Sequence, residues 1–145
     1  MTRRFLLPAF VSLGILFGSP ALAEIGRIKN QVGPVSVNRN GTLLAVRPGF
    51  QLEQGDLLVT GKTGRVGIAF QDDTRMALGP NSRVRLTQFV YDRARQKGAF
   101  VTQVDRGSIG VISGRIAKSG RDAMKVRTPT SMLGVRGTKF VVEVK

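Results

Sequence analysis

Side chains able to do chemistry are scarce in this 145-residue chain, and the scarcity is its first constraint. There is no histidine and no cysteine, which removes most metal sites and most nucleophile–base pairs. Of nine acidic residues only Asp72 and Asp73 are adjacent. Neighbours on a strand point to opposite faces, so these two could share a site only in a turn. Asp72-Asp73-Thr74 lies between apolar runs and reads as a hairpin turn, not as an acid–base pair. Gly61-Lys62-Thr63 imitates the end of a phosphate loop, which requires a glycine five residues earlier and a helix afterwards. Position 56 is aspartate and the residues after Thr63 read as a strand, so the match is spurious. Asp56 and Thr60 are expected instead to start and end a short strand, bonding to nearby backbone N–H groups. No catalytic residue, metal or other cofactor is assigned.

The stretch "TPTSMLGVRGTKFVVEV" (Thr128 to Val144) holds the remaining candidate, Arg136, between Gly134 and Gly137. Glycine reaches backbone conformations closed to other residues, so a structural turn is expected here. Within it Arg136 has two roles open to it. It can pair with a buried carboxylate such as Asp56, which is the favoured expectation. Otherwise it faces outward as a partner- or ligand-binding residue.

The elements that must position these residues are strands. Val66, Ile68 and Phe70 share a parity with only Gly67 and Ala69 between them, which predicts a strand buried on both sides. Arg83-Val84-Arg85-Leu86 alternates as a half-exposed strand should. The apolar phase then slips to Phe89 and Tyr91, predicting a bulge near Thr87-Gln88. Phe140, Val142 and Val144 share a face opposite Glu143 and Lys145. Turn signals fall at Asn40-Gly41, Pro48-Gly49, Gly55-Asp56, Gly61 to Gly64, Asp72-Asp73, Gly79 to Ser82, Arg106-Gly107, Gly120 and Gly134. The most polar stretch, Asp92 to Gly98, reads as an exposed loop. Such spacing predicts an all-β fold: a single domain of many short strands forming a rolled sheet, β-sandwich or solenoid-like stack, with little or no helix.

The N-terminus bears on location. Met1 to Arg4 is basic, Phe5 to Phe17 is almost wholly apolar, and Ala21-Leu22-Ala23 offers small residues where a signal peptidase reads. The layout is that of a signal peptide, residues 1–23, cleaved after Ala23, and the apolar run is well short of the ~20 residues a membrane span needs. Residues 24–145 are then one domain, expected in the periplasm. Without Arg3 and Arg4 the 23 basic residues become 21 against nine acidic, a formal net charge of +12. Anionic partners follow from that excess: an acidic protein face, an anionic envelope polymer or a lipid surface. Nucleic acid is not expected as a partner of an exported chain. The basic residues are dispersed and never form a run of five, as on a generally cationic surface.

"GDLLVTGKTGRVGIAFQDDTRMALGPNSRVRL", followed by "GVISGRIAK" and "VRTPTSMLGVRGTKFVV", resembles the FecR domain, the periplasmic domain named after a ferric-citrate transport regulator. The likeness runs collinearly from about Ile25 to Val144. Its motif positions are Gly55, Asp56, Thr60, Gly61, Asp72, Thr74, Gly79, Pro80, Asn81, Ser82, Gly134, Gly137 and Thr138, all expected to be structural. Asp73 departs from the pattern, because the family usually has glycine there. The resemblance implies an all-β fold and a role in recognising a protein or ligand without catalysis. The familiar regulators carry a cytoplasmic anti-sigma segment and a membrane helix, so this chain is expected to be a stand-alone exported form. It is expected to engage another envelope protein, with anionic polymer or lipid binding as the alternative.

Overall fold

Twelve strands and one short helix follow one another in the computed structural model, which describes residues 23–145 and Gly14. Apart from Gly14 and Ala23, the expected signal peptide lies outside the described residues. The strands are β1 (Glu24–Val32), β2 (Val35–Arg39), β3 (Thr42–Ala45), β4 (Gln51–Glu53), β5 (Leu57–Thr60), β6 (Arg65–Phe70), β7 (Arg75–Leu78), β8 (Arg83–Asp92) and β9 (Lys97–Ile112). After β9 come helix α1 (Arg115–Ser119) and strands β10 (Met124–Arg127), β11 (Met132–Val135) and β12 (Lys139–Val144). No helix among the described residues is long and apolar enough to cross a membrane.

The strands form one curled, open sheet, a half-barrel, in the order β3-β2-β5-β8-β9-β7-β6-β1-β4. Of the expected forms, the rolled sheet is the one adopted. Its curl is organised by β9. The first part of β9 pairs with β8 and, in parallel, with β10, whereas its last residues pair with β7 and β12. Gly107, with φ +89°, sits between the two parts, where an added Cβ would lie 2.2 Å from Ser82 Oγ. Arg106-Gly107 is therefore a bend within one long strand and not the turn its composition predicts. The parallel β9–β10 pairing requires a crossover, and α1 lies in that connection.

Alternation sorts the faces. Val84, Leu86 and Phe89 of β8 are buried while Arg83 and Arg85 are exposed. The register of β8 against β9 shifts between Leu86 and Gln88, where the phase slip predicts a bulge. Phe70, Phe89 and Phe100 meet in the core with ring centroids 4.8 to 5.7 Å apart, each such pair contributing about 0.5–1.5 kcal/mol beyond area burial. Asn40 and Gly41, both at positive φ, close the β2–β3 hairpin with the geometry that matches strand twist. Residues 93–96 form the exposed loop between β8 and β9. One expectation fails in β6. Val66, Ile68 and Phe70 face the core, but Gly67 and Ala69 are half-exposed on an outer face that no other layer covers among the described residues. Their small size imitates burial in the sequence because an apolar pattern cannot tell an open face of small residues from a covered one.

Candidate binding surface

The motif carboxylates are consumed by the fold. Asp56 is buried just before β5. Its carboxylate accepts both Arg39 Nε at 2.9 Å and Arg39 Nη2 at 2.8 Å, and also the Glu53 N–H at 2.9 Å. Arg39 also donates to the Gln51 carbonyl at 3.0 Å and lies 5.4 Å from the Phe50 ring centroid. Hydrogen bonding to Asp56 holds the Arg39 guanidinium above its ordinary pKa, against the opposing pull of desolvation. Asp56 is thus paired with Arg39 and not with Arg136. Sequence reasoning passed over Arg39, although a signal was present. Val35, Val37 and Arg39 share a parity, which puts the arginine on the core-facing side of β2, where a charge must find a partner.

Asp72 solves the same problem without a cation. Its carboxylate accepts Thr74 N–H at 3.1 Å, Thr74 Oγ1–H at 2.8 Å and Ile116 N–H at 3.1 Å, all in the core. Thr74 Oγ1 in turn accepts the Gly114 N–H at 3.0 Å, so the β6–β7 turn clamps the start of α1. Asp73, where the family usually has glycine, sits at φ +68°. It is exposed and pairs with Arg115 at 2.9 Å. The hydrogen bond that Arg115 donates to Asp73 raises the Arg115 pKa. The two adjacent aspartates therefore point apart and share no site.

Thr60 and Ser82 tie the next turn. Thr60 Oγ1 donates to the Gly79 carbonyl at 2.7 Å and accepts the Ser82 N–H at 2.9 Å. Ser82 Oγ donates to the Gly79 carbonyl at 2.9 Å and accepts the Ser108 N–H at 3.1 Å. Pro80 and Asn81 form the turn itself, Asn81 at φ +53°. Gly79 and Gly61 are required by close approach, since an added Cβ would lie 2.3 Å from Ser108 Oγ or 2.7 Å from Pro34 Cγ respectively. Gly55 is required by its φ of +91°.

The segment around Arg136 behaves differently. Gly134 lies inside β11, paired with Lys125, and not in a turn. Neither Gly134 nor Gly137 has a positive φ, so backbone freedom is not what they supply. An added Cβ at Gly134 would lie 2.6 Å from Asp122 Oδ1. The carbonyls of Gly137 and Thr138 accept Ser113 Oγ–H at 2.6 Å and Ser113 N–H at 2.8 Å. Arg136 itself is exposed and has no carboxylate partner among the described residues. The expected pairing of Arg136 with a buried carboxylate such as Asp56 is not formed, because Asp56 is taken by Arg39 of β2 and Asp72 by Thr74 and the Ile116 N–H.

What remains open to partners is surface. Met132 and Leu133 of β11, Val141 of β12 and Leu43 of β3 are large exposed apolar residues on strands at the margins of the sheet. An open trough of about 890 Å³ runs over the outer face of β6, β7, β9 and β12, floored by Gly67, Ala69, Ala77 and Gly110. Among the described residues no group of three or more His, Cys, Asp or Glu side chains could hold a metal ion.

Comparison with known proteins decides the family. A family model described as FecR protein matches residues 56–145. The chain belongs to the FecR family. The match starts at Asp56, so β1 to β4, included in the likeness read from the sequence, precede it. A solved structure described as a cell surface anchoring domain is 35% identical, covering 45% of this FecR-family chain and 87% of its own, with a TM-score of 0.44. No curated protein matches the chain.

Proposed function

We propose that this FecR-family chain is a non-catalytic binding or signalling module of the cell envelope that engages another envelope protein or a ligand. Residues 1–23 serve as its export signal, and residues 24–145 act as the binding domain in the periplasm. The observation that carries the proposal is where the polar motif residues go. Asp56, Asp72, Thr60, Thr74 and Ser82 are all buried and hydrogen-bonded within the fold. None is free to act on a substrate, and the groups presented to solvent include cations unpaired among the described residues, and apolar strand margins. Arg136 belongs to that presented set and is a candidate contact to an acidic partner. The apolar margins of β11 and β12 also support addition of a partner strand.

The test is recovery of the tagged chain from envelope extracts. The mature protein should begin at Glu24 and retain a specific envelope protein at moderate salt. Full-length chain in the cytosol, or retention of nothing but bulk anionic polymer, would defeat the proposal. The second reading, binding to anionic polymer or lipid, is favoured by the formal net charge of +12 on residues 24–145, 21 basic against nine acidic. It predicts binding that collapses as screening shortens to ~8 Å near physiological salt.

A further inference from the structure

We infer that the trough on the outer face of β12, β9, β7, β6 and β1 is a docking groove for an acidic amphipathic helix of a partner protein. The inference rests on the binding-module reading above and adds the surface and the class of partner. The strand registers define the floor. Val141 pairs with Gly110, Gly110 with Ala77, Ala77 with Gly67, and Gly67 with Asn30, a single row crossing five strands. The adjacent row reads Lys139, Ile112, Arg75 and Ala69. Val141 is 76% exposed and Ile112 44%, so the trough has an apolar lip beside a floor of glycine and alanine, with the Asn30 side chain lying against Gly67 at one end.

Gly110 is the telling residue. It lies inside β9, where glycine weakens a strand and often marks close approach by a ligand or another backbone. Its φ is not positive, and an added Cβ would meet nothing within 4 Å. Gly114, four positions on, differs completely, because a Cβ there would lie 2.2 Å from the Asp72 carbonyl oxygen. Nothing among the described residues calls for glycine at position 110. A body approaching from outside does.

Charge identifies that body. Lys29, Arg75 and Lys139 line the trough, and none forms an ion pair among the described residues. Glu143 lies one row away, opposite Ser108. A second copy of this basic chain would set like charges against one another. The main-chain groups of β9, β7, β6 and β1 bond to neighbours on both sides and β12 offers only its outer edge, so an extended peptide laid across the face would find no ladder. A helix satisfies its own backbone and fits a groove with one apolar face. Spacing agrees. Lys139 and Arg75 lie two strands apart, about 10 Å, and one heptad of helix rises about 10.5 Å. Acidic residues at i and i+7 thus meet both cations while small and apolar residues settle onto Ala77 and Gly110.

The experiment measures the mature chain by fluorescence anisotropy against a synthetic helix of about 20 residues, Leu/Ala on one face with Glu at heptad spacing. A charge-reversed peptide with Lys in place of Glu is the comparison. The acidic peptide should bind at least about tenfold more tightly than its reversed counterpart. Gly110→Val, which places a side chain in open space, should weaken binding at least about tenfold with an unchanged or higher unfolding midpoint. The double variant Arg75→Glu, Lys139→Glu should invert the peptide preference. Equal binding of both peptides, or an indifferent Gly110→Val, overturns the groove. So does binding to phosphatidylglycerol vesicles that Gly110→Val abolishes, which assigns the face to lipid. Dimers in sedimentation that Gly110→Val breaks also overturn it, assigning the face to a second copy. If Gly110→Val still retains the same envelope protein in cell extracts, the groove is wrong while the binding-module reading stands.

Discussion

Asp72 accepts three hydrogen bonds in the core, whereas Arg136 stands in solvent with no carboxylate beside it among the described residues. Both belong to short polar motifs between apolar runs, and from the chain alone both suggest a side chain that holds a turn. The difference follows from burial. A carboxylate removed from water costs several kcal/mol unless donors replace that water, so the fold around Asp72 and Asp56 is built from such donors. An arginine left in water carries no such cost and requires no partner. The polar candidates in this chain therefore divide into buried ones that hold the sheet and exposed ones for which the fold supplies no partner among the described residues.

The largest expected effect that tests this division is at Asp72. Asp72→Ala strands the Thr74 hydroxyl and two N–H groups in the core, and urea unfolding should show a loss of about 4 kcal/mol. A loss under about 1 kcal/mol would mean that the turn relaxes and that the clamp on α1 is not structural.

Arg39→Ala comes next. It leaves the Asp56 carboxylate, 1% exposed, without its bidentate partner. Arg39 itself is 24% exposed and water can reach its place, so the expected loss is about 3 kcal/mol, the low end for a broken buried pair. A double-mutant cycle with Asp56→Asn should show coupling of more than about 1 kcal/mol. Independent effects would break the pairing.

Ser82→Ala removes one donor and one acceptor under the Gly79–Asn81 turn. About 1.5 kcal/mol is expected, with hydrogen exchange at the Ser108 amide accelerating first. An unchanged Ser108 amide would show that the two sides of this turn are not held by the serine.

The smallest effect is expected at Arg136. Arg136→Ala should leave stability within about 0.5 kcal/mol while weakening capture of an acidic partner. A loss of several kcal/mol in the same unfolding assay would return Arg136 to the structural class and erase the contrast with Asp72.

Much of this division was legible in residue order. The alternation of Arg83 to Leu86, the slip at Thr87-Gln88 and the turn at Asp72-Asp73 each correspond to an observed strand, bulge or hairpin. These features depend on neighbours in sequence, because side-chain direction along a strand reverses at every residue. Arg39 was legible in principle, since its parity with Val35 and Val37 turns it inward, but parity does not name the partner. The pairing with Asp56 joins the end of β2 to the residue before β5, two strands separated in sequence by β3 and β4, and their proximity comes from the β2–β5 register, which sets Asn38 opposite Leu57.

The amino-acid order by itself determined the all-β class, the strand periods and the absence of histidine and cysteine chemistry. It also determined the basic surface and the likeness to the FecR family, because composition and local alternation are properties of neighbouring residues. Tertiary structure alone decided that Arg39 takes Asp56 and leaves Arg136 free. It alone decided that Arg106-Gly107 bends a strand without ending it, and that Gly67, Ala69, Ala77 and Gly110 line one open trough. Those outcomes depend on registers between strands distant in the chain, set by which faces the curled sheet can bury together, and no local pattern contains that information.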